Sequence, residues 1–223
     1  MRHGEKPLVV CRKLGGAVVC RRHACYLRAM SYFIVSHSAA LALLAHIPNP
    51  RFGDSESEVV SIADACALSD QEAQEFIDRY DLGIGVLDLM VPTRAGRRRT
   101  KHVATHLCSN ELPVGSFISL GHWRGELDAY VCSPELAYLQ AAHDGDAAEA
   151  IYAGYAMTSD YRLDNLVPGG VTSRDKGMRD GRLTTKELIA AYLGRASKVR
   201  GAAKAKALLS YVKEGSRSPR ESG

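Results

Sequence analysis

Three consecutive arginines, Arg97, Arg98 and Arg99, with Arg94 and Lys101 beside them, put five cationic side chains into the nine residues from Thr93 to Lys101. A guanidinium group is a planar fork of donors that matches two phosphate oxygens at once. The segment lies between two apolar runs, so a loop bending at Gly96 would expose these groups together and suit phosphate binding. A second basic group follows near the C-terminus. There Lys198, Arg200, Lys204, Lys206 and Lys213 surround a helix whose apolar side is Ala205, Leu208, Leu209 and Val212. The expected nucleic-acid-binding residues are therefore Arg97, Arg98, Arg99, Lys101, Lys198, Arg200, Lys204, Lys206 and Lys213. Solvated surface charge and a plain helical hairpin account for the same pattern without a ligand.

Other chemistry finds less support. His102 and His106 are four apart in a run that reads as a strand, where that spacing separates two side chains on one face by about 13 Å. One zinc ion cannot span it. His37 between Ser36 and Ser38 has the types for a base beside a serine nucleophile, but such a trio more often caps a helix. Ser133 and Glu135 are accounted for by helix initiation. Gly83-x-Gly85 lacks the third glycine and the strand-to-helix setting of a dinucleotide loop. Trp123, the single tryptophan, reads as a lid on the core or an exposed contact in a turn. The six cysteines, Cys11, Cys20, Cys25, Cys66, Cys108 and Cys132, contain no C-x-x-C pair, which favours free thiols over zinc or disulfides. No catalytic residue, metal or cofactor is expected.

The chain is long enough for one large domain or two small ones. Its longest apolar stretch, Ala39 to Ala45, is too short to cross a bilayer, and arginines interrupt the first thirty residues, so no signal peptide is evident and the cytoplasm is expected. Charge is uneven. Residues 1–29 carry seven basic and one acidic side chain (+6), 30–93 two and ten (−8), 94–173 seven and nine (−2), and 174–223 thirteen and five (+8). An acidic first half joined to a basic tail suggests a face that meets a polyanion.

Residues 1–29 lack a sustained period and are expected to be a poorly ordered extension or start-site artefact, with a basic arm that orders on nucleic acid as the rival. Met30 to Ser38 reads as an apolar strand or buried turn leading to a helix from Ser38 to His46. Two short helices, Val59 to Ala67 and Asp70 to Tyr80, follow; Ser69 and Glu72 form a capping box for the second. Their spacing resembles a helix-turn-helix, although the acidic second helix would repel phosphate. Strands are expected at Val86 to Pro92, His102 to Cys108, Gly115 to Leu120 and Leu127 to Cys132, then a helix from Ser133 to Ala142. Residues 160–182 read as a long loop turning at Gly169-Gly170. Thr184 with Glu187 caps a helix to Leu193, and a last helix runs from Gly201 to Glu214.

Several short motifs form a recognisable succession: Leu87 to Pro92, Arg97 to Lys101, His106, Leu112-Pro113, Ser116-Phe117, and Val131-Cys-Ser-Pro-Glu-Leu-Ala-Tyr-Leu-Gln-Ala-Ala. It resembles the effector-side domain of AbiEi-type antitoxins. Gly154-Tyr155, Leu183-Thr184-Thr185, Gly201-Ala202, Ala205, Ala207-Leu208, Tyr211-Val212 and Gly215-Ser216-x-Ser218-Pro219-x-Glu221 resemble a branch of actinobacterial proteins. In that branch an AbiEi-like front half leads into a nuclease of the very-short-patch-repair, PD-(D/E)xK type. The resemblance spans roughly Met30 to Glu221. Ser216 to Glu221 opens a helix that the sequence does not continue, so the resemblance implies a truncated front half whose metal-holding nuclease positions have no counterpart.

The combined expectation is an α+β protein with a small, mostly antiparallel sheet flanked by helices and a helical basic C-terminal part. It divides into a basic extension (1–29), an AbiEi-like domain (30–158), a loop (159–182) and a basic helical hairpin (183–223). The expected function is a non-enzymatic, DNA-associated, antitoxin-like protein of a bacterial toxin–antitoxin or defence system. Its partner would be nucleic acid, DNA before RNA, or a protein such as a toxin, with no membrane involved. The alternatives are an inactive front half of a restriction or repair endonuclease, and a protein-binding module or nuclease inhibitor.

Overall fold

A computed structural model of the chain describes residues 12–14, 17–19, 32–46, 60–109, 111–123, 127–163, 171–173 and 182–215. Within them lies an α+β fold on a five-stranded mixed sheet. Chain order runs β1 (Arg12–Leu14), β2 (Ala17–Val19), β3 (Tyr32–Val35), α1 (His37–His46), α2 (Asp70–Arg79), β4 (Leu87–Val91), β5 (Val103–Leu107), β6 (Phe117–Trp123), β7 (Leu127–Cys132), α3 (Pro134–Asp144), α4 (Ala147–Thr158), β8 (Tyr161–Leu163), β9 (Val171–Ser173), α5 (Lys186–Arg195) and α6 (Ala202–Leu209). The central strands lie in the order β5-β4-β3-β7-β6, while β1-β2 and β8-β9 form separate two-stranded pairs.

The expectation of a mostly antiparallel sheet is overturned. β3 runs parallel to β7 and β4 parallel to β5, against antiparallel β3/β4 and β6/β7. Two apolar strands close in sequence suggest a hairpin, but segment 92–102 is long enough to return the chain to the starting end of its neighbour, which a parallel pair requires.

Period-two geometry sorts the residues by face. Val35 pairs with Leu89, placing Phe33, Val35, Leu87 and Leu89 on one face. Phe33 meets Phe76 of α2 edge-on there, with centroids 5.3 Å apart. Asp88 and Met90 point to the opposite face, toward α1 and α3, as does His106, which lies opposite Met90 in the ladder. Covered on both sides, β3 and β4 are buried almost throughout, including Asp88. Burying a wholly exposed Leu or Phe contributes about 1.5–3 kcal/mol, so the ladder of Phe33, Ile34, Val35, Leu87, Leu89 and Met90 is the principal source of rigidity beneath the polar groups described below.

Several helix starts obey local rules. Ser69 and Glu72 form the expected capping box of α2, and Ser133 accepts from the Leu136 N–H with Pro134 opening α3. α4, absent from the sequence reading, carries its own capping box in Asp146 and Glu149. Two expectations fail. Val59 to Ala67 is not an α-helix; the described part holds only a 3₁₀ turn at Ile62–Asp64, so no helix-turn-helix forms. The box expected from Thr184 and Glu187 is displaced: Thr185 accepts from the Leu188 N–H, and buried Thr184 instead donates to Glu135 Oε1 at 2.5 Å. Glu135 thus joins α3 to the start of α5 rather than merely opening its own helix.

Of residues 1–29 only the β1-β2 pair lies within the described residues, and there the chain is a short hairpin. Cys11, Cys20, Cys25, Gly169-Gly170, the Trp123 side chain and Ser216 to Glu221 lie outside them. Among the described residues no helix is long and apolar enough to cross a membrane, and Cys66, Cys108 and Cys132 form no disulfide.

Candidate polar centre and basic face

α1 begins where β3 ends, with Ser36 as the sole residue between them. A helix leaves its first N–H groups without intrahelical partners, and here other elements supply them. Gln140 Oε1 on α3 accepts from the His37 N–H at 2.9 Å, and Asp88 Oδ2 on β4 accepts from the Ala39 N–H at 3.3 Å and from Ser38 Oγ at 2.5 Å. The helix is therefore capped by a strand carboxylate fifty residues away in sequence, not by the serine–histidine trio.

His37 itself has φ of 51°, a left-handed backbone that costs a non-glycine residue roughly 1–2 kcal/mol. That strain is held by the contacts of its ring. Nδ1 lies 2.8 Å from Ser36 Oγ, Nε2 lies 2.9 Å from Asp144 Oδ2 at the end of α3, and the ring stacks on His106 of β5 with centroids 3.7 Å apart and planes inclined by 20°. His106 Nε2 in turn donates to Asp88 Oδ1 at 2.8 Å. Two imidazoles are thus packed face to face, each tied to a carboxylate.

The electrostatics follow from this arrangement. Burial, and then the neighbouring His106, push the His37 imidazole down to about 4 against the opposing pull of Asp144 and Asp88, so it is neutral at pH 7. For Asp88, burial opposes the charge, but hydrogen bonds from His106 and Ser38 outweigh it and hold the carboxyl below its ordinary value. Ser36, His37 and Asp144 have the connectivity of a nucleophile, base and orienting acid. Ser36 is wholly buried, however, so a substrate carbonyl cannot reach its hydroxyl, and the trio is not a hydrolytic triad.

The arginine segment flanks this centre. Arg94–Gly96 forms a 3₁₀ turn, and the chain then runs back along the outer edge of β5, with the Thr100 N–H donating to Val103 O and the Thr105 N–H to Arg98 O. Thr105 Oγ1 accepts from the Arg98 N–H at 2.6 Å. Gly96 does not bend by adopting a left-handed conformation; a Cβ there would come within 3.3 Å of Val91, so it allows close packing of the turn on β4. Arg97, Arg98, Arg99 and Lys101 are all exposed. The three arginines line a cleft of about 350 Å³ with Ala104, Thr105 and His106. A larger groove of about 700 Å³ between residues 60–63 and 111–117 carries, among the described residues, one charged lining residue, Glu111.

The C-terminal cations divide. Lys204 Nζ on α6 donates to Gly145 O at 2.8 Å, next to Asp144. Gly201, with φ of 90°, lies so close that a Cβ would meet His143 Cβ at 2.7 Å, and both the backbone angle and this approach require glycine. Lys204 therefore lies beside the polar centre. Lys198, Arg200, Lys206 and Lys213 are exposed around α5 and α6. His102 stands apart, its Nδ1 3.1 Å from Gly85 O. A continuous polar track results: Lys204, Gly145, Asp144, His37, His106 and the Arg97–Arg99 cleft. In sequence the two basic groups stand apart, and Asp88, Gln140 and Asp144 between them are not among the expected site residues. A lone acid inside the apolar run Val86-Leu-Asp-Leu-Met-Val was the available signal for Asp88.

No protein-family model, no curated protein and no solved structure matches the chain.

Proposed function

We propose that the chain is a non-enzymatic nucleic-acid-associated protein, of the AbiEi-like antitoxin kind that its motifs resemble, binding duplex DNA across the face between the Arg97–Lys101 edge and Lys204. The observation that supports this reading is that the arginine edge and, of the C-terminal cations, Lys204 flank a single polar centre through a connected set of contacts. Solvated surface charge alone does not call for that arrangement. Exposed guanidinium groups on a backbone pinned to a sheet edge hold their positions with little ordering cost, and planar forks match phosphate oxygens. Phosphate contacts of this type position a protein without reading base sequence.

The test is duplex affinity measured over a range of salt concentrations, for the full chain and for a variant with Arg97, Arg98 and Arg99 replaced by alanine. Each lost phosphate contact lowers the slope of log K against log salt by about 0.9. The expected result is weaker binding to all sequences alike and a slope smaller by about two to three such steps, with folding stability altered by less than about 0.5 kcal/mol because the charges are exposed. An unchanged affinity and slope in the folded variant would remove the arginine edge from the interface and favour a protein partner.

A further inference from the structure

We propose that His37, His106 and Asp144 form a binding site for one divalent transition-metal ion of the zinc class. One ligand atom from each of the three lies within 4.8 Å of the others, and the residues come from three elements anchored separately: the first residue of α1, the edge strand β5 and the end of α3. Tetrahedral zinc with bonds of about 2.0–2.1 Å to nitrogen and oxygen sets its ligand atoms somewhat over 3 Å apart. His37 Nε2 and Asp144 Oδ2 are already separated by 2.9 Å.

The surrounding hydrogen bonds select the ligand atoms. A metal-bound imidazole ordinarily gives its second nitrogen to a carboxylate or another oxygen, which fixes ring orientation. His106 Nε2 is committed to Asp88, leaving Nδ1 for the ion. His37 Nδ1 faces Ser36 Oγ; with Nε2 on the metal, Nδ1 carries the proton and donates to that hydroxyl, which rotates to accept it. Both Asp88 oxygens are engaged, by His106, Ser38 and the Ala39 N–H, so Asp88 orients His106 rather than ligating. In the stack the two rings are nearly parallel and their lone pairs run side by side. The ion therefore takes the place of the stacking contact, with His106 turning about its side-chain bonds and half-exposed Asp144 closing from the end of α3.

Two imidazoles and one carboxylate favour zinc, cobalt, nickel or copper over magnesium and calcium, which prefer oxygen-only shells. Three protein ligands leave a fourth position open. His106, one of the three ligands, also lines the cleft of Arg97, Arg98 and Arg99, so that position would take water or the oxygen of an anion held there. This inference rests on the geometry of the centre and not on the nucleic-acid reading.

The experiment uses the full chain freed of metal by chelation, titrated with Zn²⁺ alone by calorimetry and with Co²⁺ alone by visible absorption. One ion per chain is expected, with a cobalt spectrum of nitrogen and oxygen ligands and no thiolate charge-transfer band. His37→Asn retains a residue that tolerates the left-handed backbone, and His106→Gln retains a donor for Asp88. Each should weaken binding by about 100-fold or more, and Asp88→Asn by about tenfold through loss of orientation. His102→Gln should bind as the parent does, and circular dichroism of each variant establishes that it is folded. Absence of zinc binding, a thiolate band, or affinity unchanged in folded His37→Asn and His106→Gln would each overturn the site.

Discussion

α1 and α2 begin in opposite ways, and the difference locates the chemistry of this molecule. α2 is capped from within four residues, Ser69 accepting from the Glu72 N–H while Glu72 Oε2 accepts from the Ser69 N–H at 2.8 Å. Its start is capped locally, and the left-handed residue near it, Asp81 with φ of 47°, lies past its C-terminal end. α1 opens on a left-handed histidine and relies on Asp88 of β4 and Gln140 of α3 for its first donors. A helix start that abandons local capping leaves its side chains available for something else. Here they meet a second histidine and a second carboxylate at the edge of a basic cleft. Strained residues held by their surroundings concentrate at functional sites, and the contrast between the two starts is the physical form that rule takes here.

The contrast can be broken by removing each cap in turn. Asp88→Ala leaves the buried Ala39 N–H and the part-exposed donors of Ser38 and His106 without their acceptor, at an expected cost of about 3 kcal/mol. Ser69→Ala, at an exposed local cap, should cost only about 1 kcal/mol. Urea midpoints of the two metal-free variants give the comparison, and equal costs would mean that the α1 start is an ordinary cap reached from farther away.

Acid sharpens the same comparison with a smaller expected effect. His37 is held neutral in the folded chain to about pH 4, whereas an unfolded histidine takes up its proton near 6.5. Its folded value is depressed, so the unfolded state binds the proton first and stability falls as pH falls. The contribution is intact above about pH 6.5 and declines toward pH 4, by about 2–3 kcal/mol in total. Asp88, also depressed, acts in the same direction at lower pH. Metal-free denaturation curves at several pH values should show this decline in the parent and a flatter profile between pH 6.5 and 4 in His37→Asn. A parent profile as flat as that of the variant would show that the ring is not desolvated as described.

The sequence was legible wherever one segment determines its own structure. Ser69-x-x-Glu72 and Ser133-Pro134 named their helices, and the short apolar runs named β4, β5 and β7 within a residue or two. What it hid required contacts across long sequence separations. The parallel pairing of β4 with β5 depends on the path of segment 92–102, and the His37–His106 stack on β5 lying alongside β4, whose Asp88 reaches the start of α1. The histidine near His106 in sequence is His102, just before β5, whereas its stacking partner stands 69 positions earlier. The exposed arginines were visible because charge needs no partner to be read. The cleft they share with His106 was not, since a cleft exists only after the edge of β5 is covered by its own preceding loop.

One measurement bears most directly on the claim that this centre and the two basic segments form a single binding face. Backbone amide resonances of the full chain are followed while a short DNA duplex is added at low salt. Shifts at Arg97 to Lys101, His106, His37, Asp144, Gly145 and Gly201 to Lys204 should move together and fit one dissociation constant, while amides of α2 beyond its first turn, which holds Thr100 and His102 through Asp70, stay in place because its acidic side chains repel phosphate. Shifts confined to one basic segment, shifts fitting separate constants, or none in this set would contradict a continuous face.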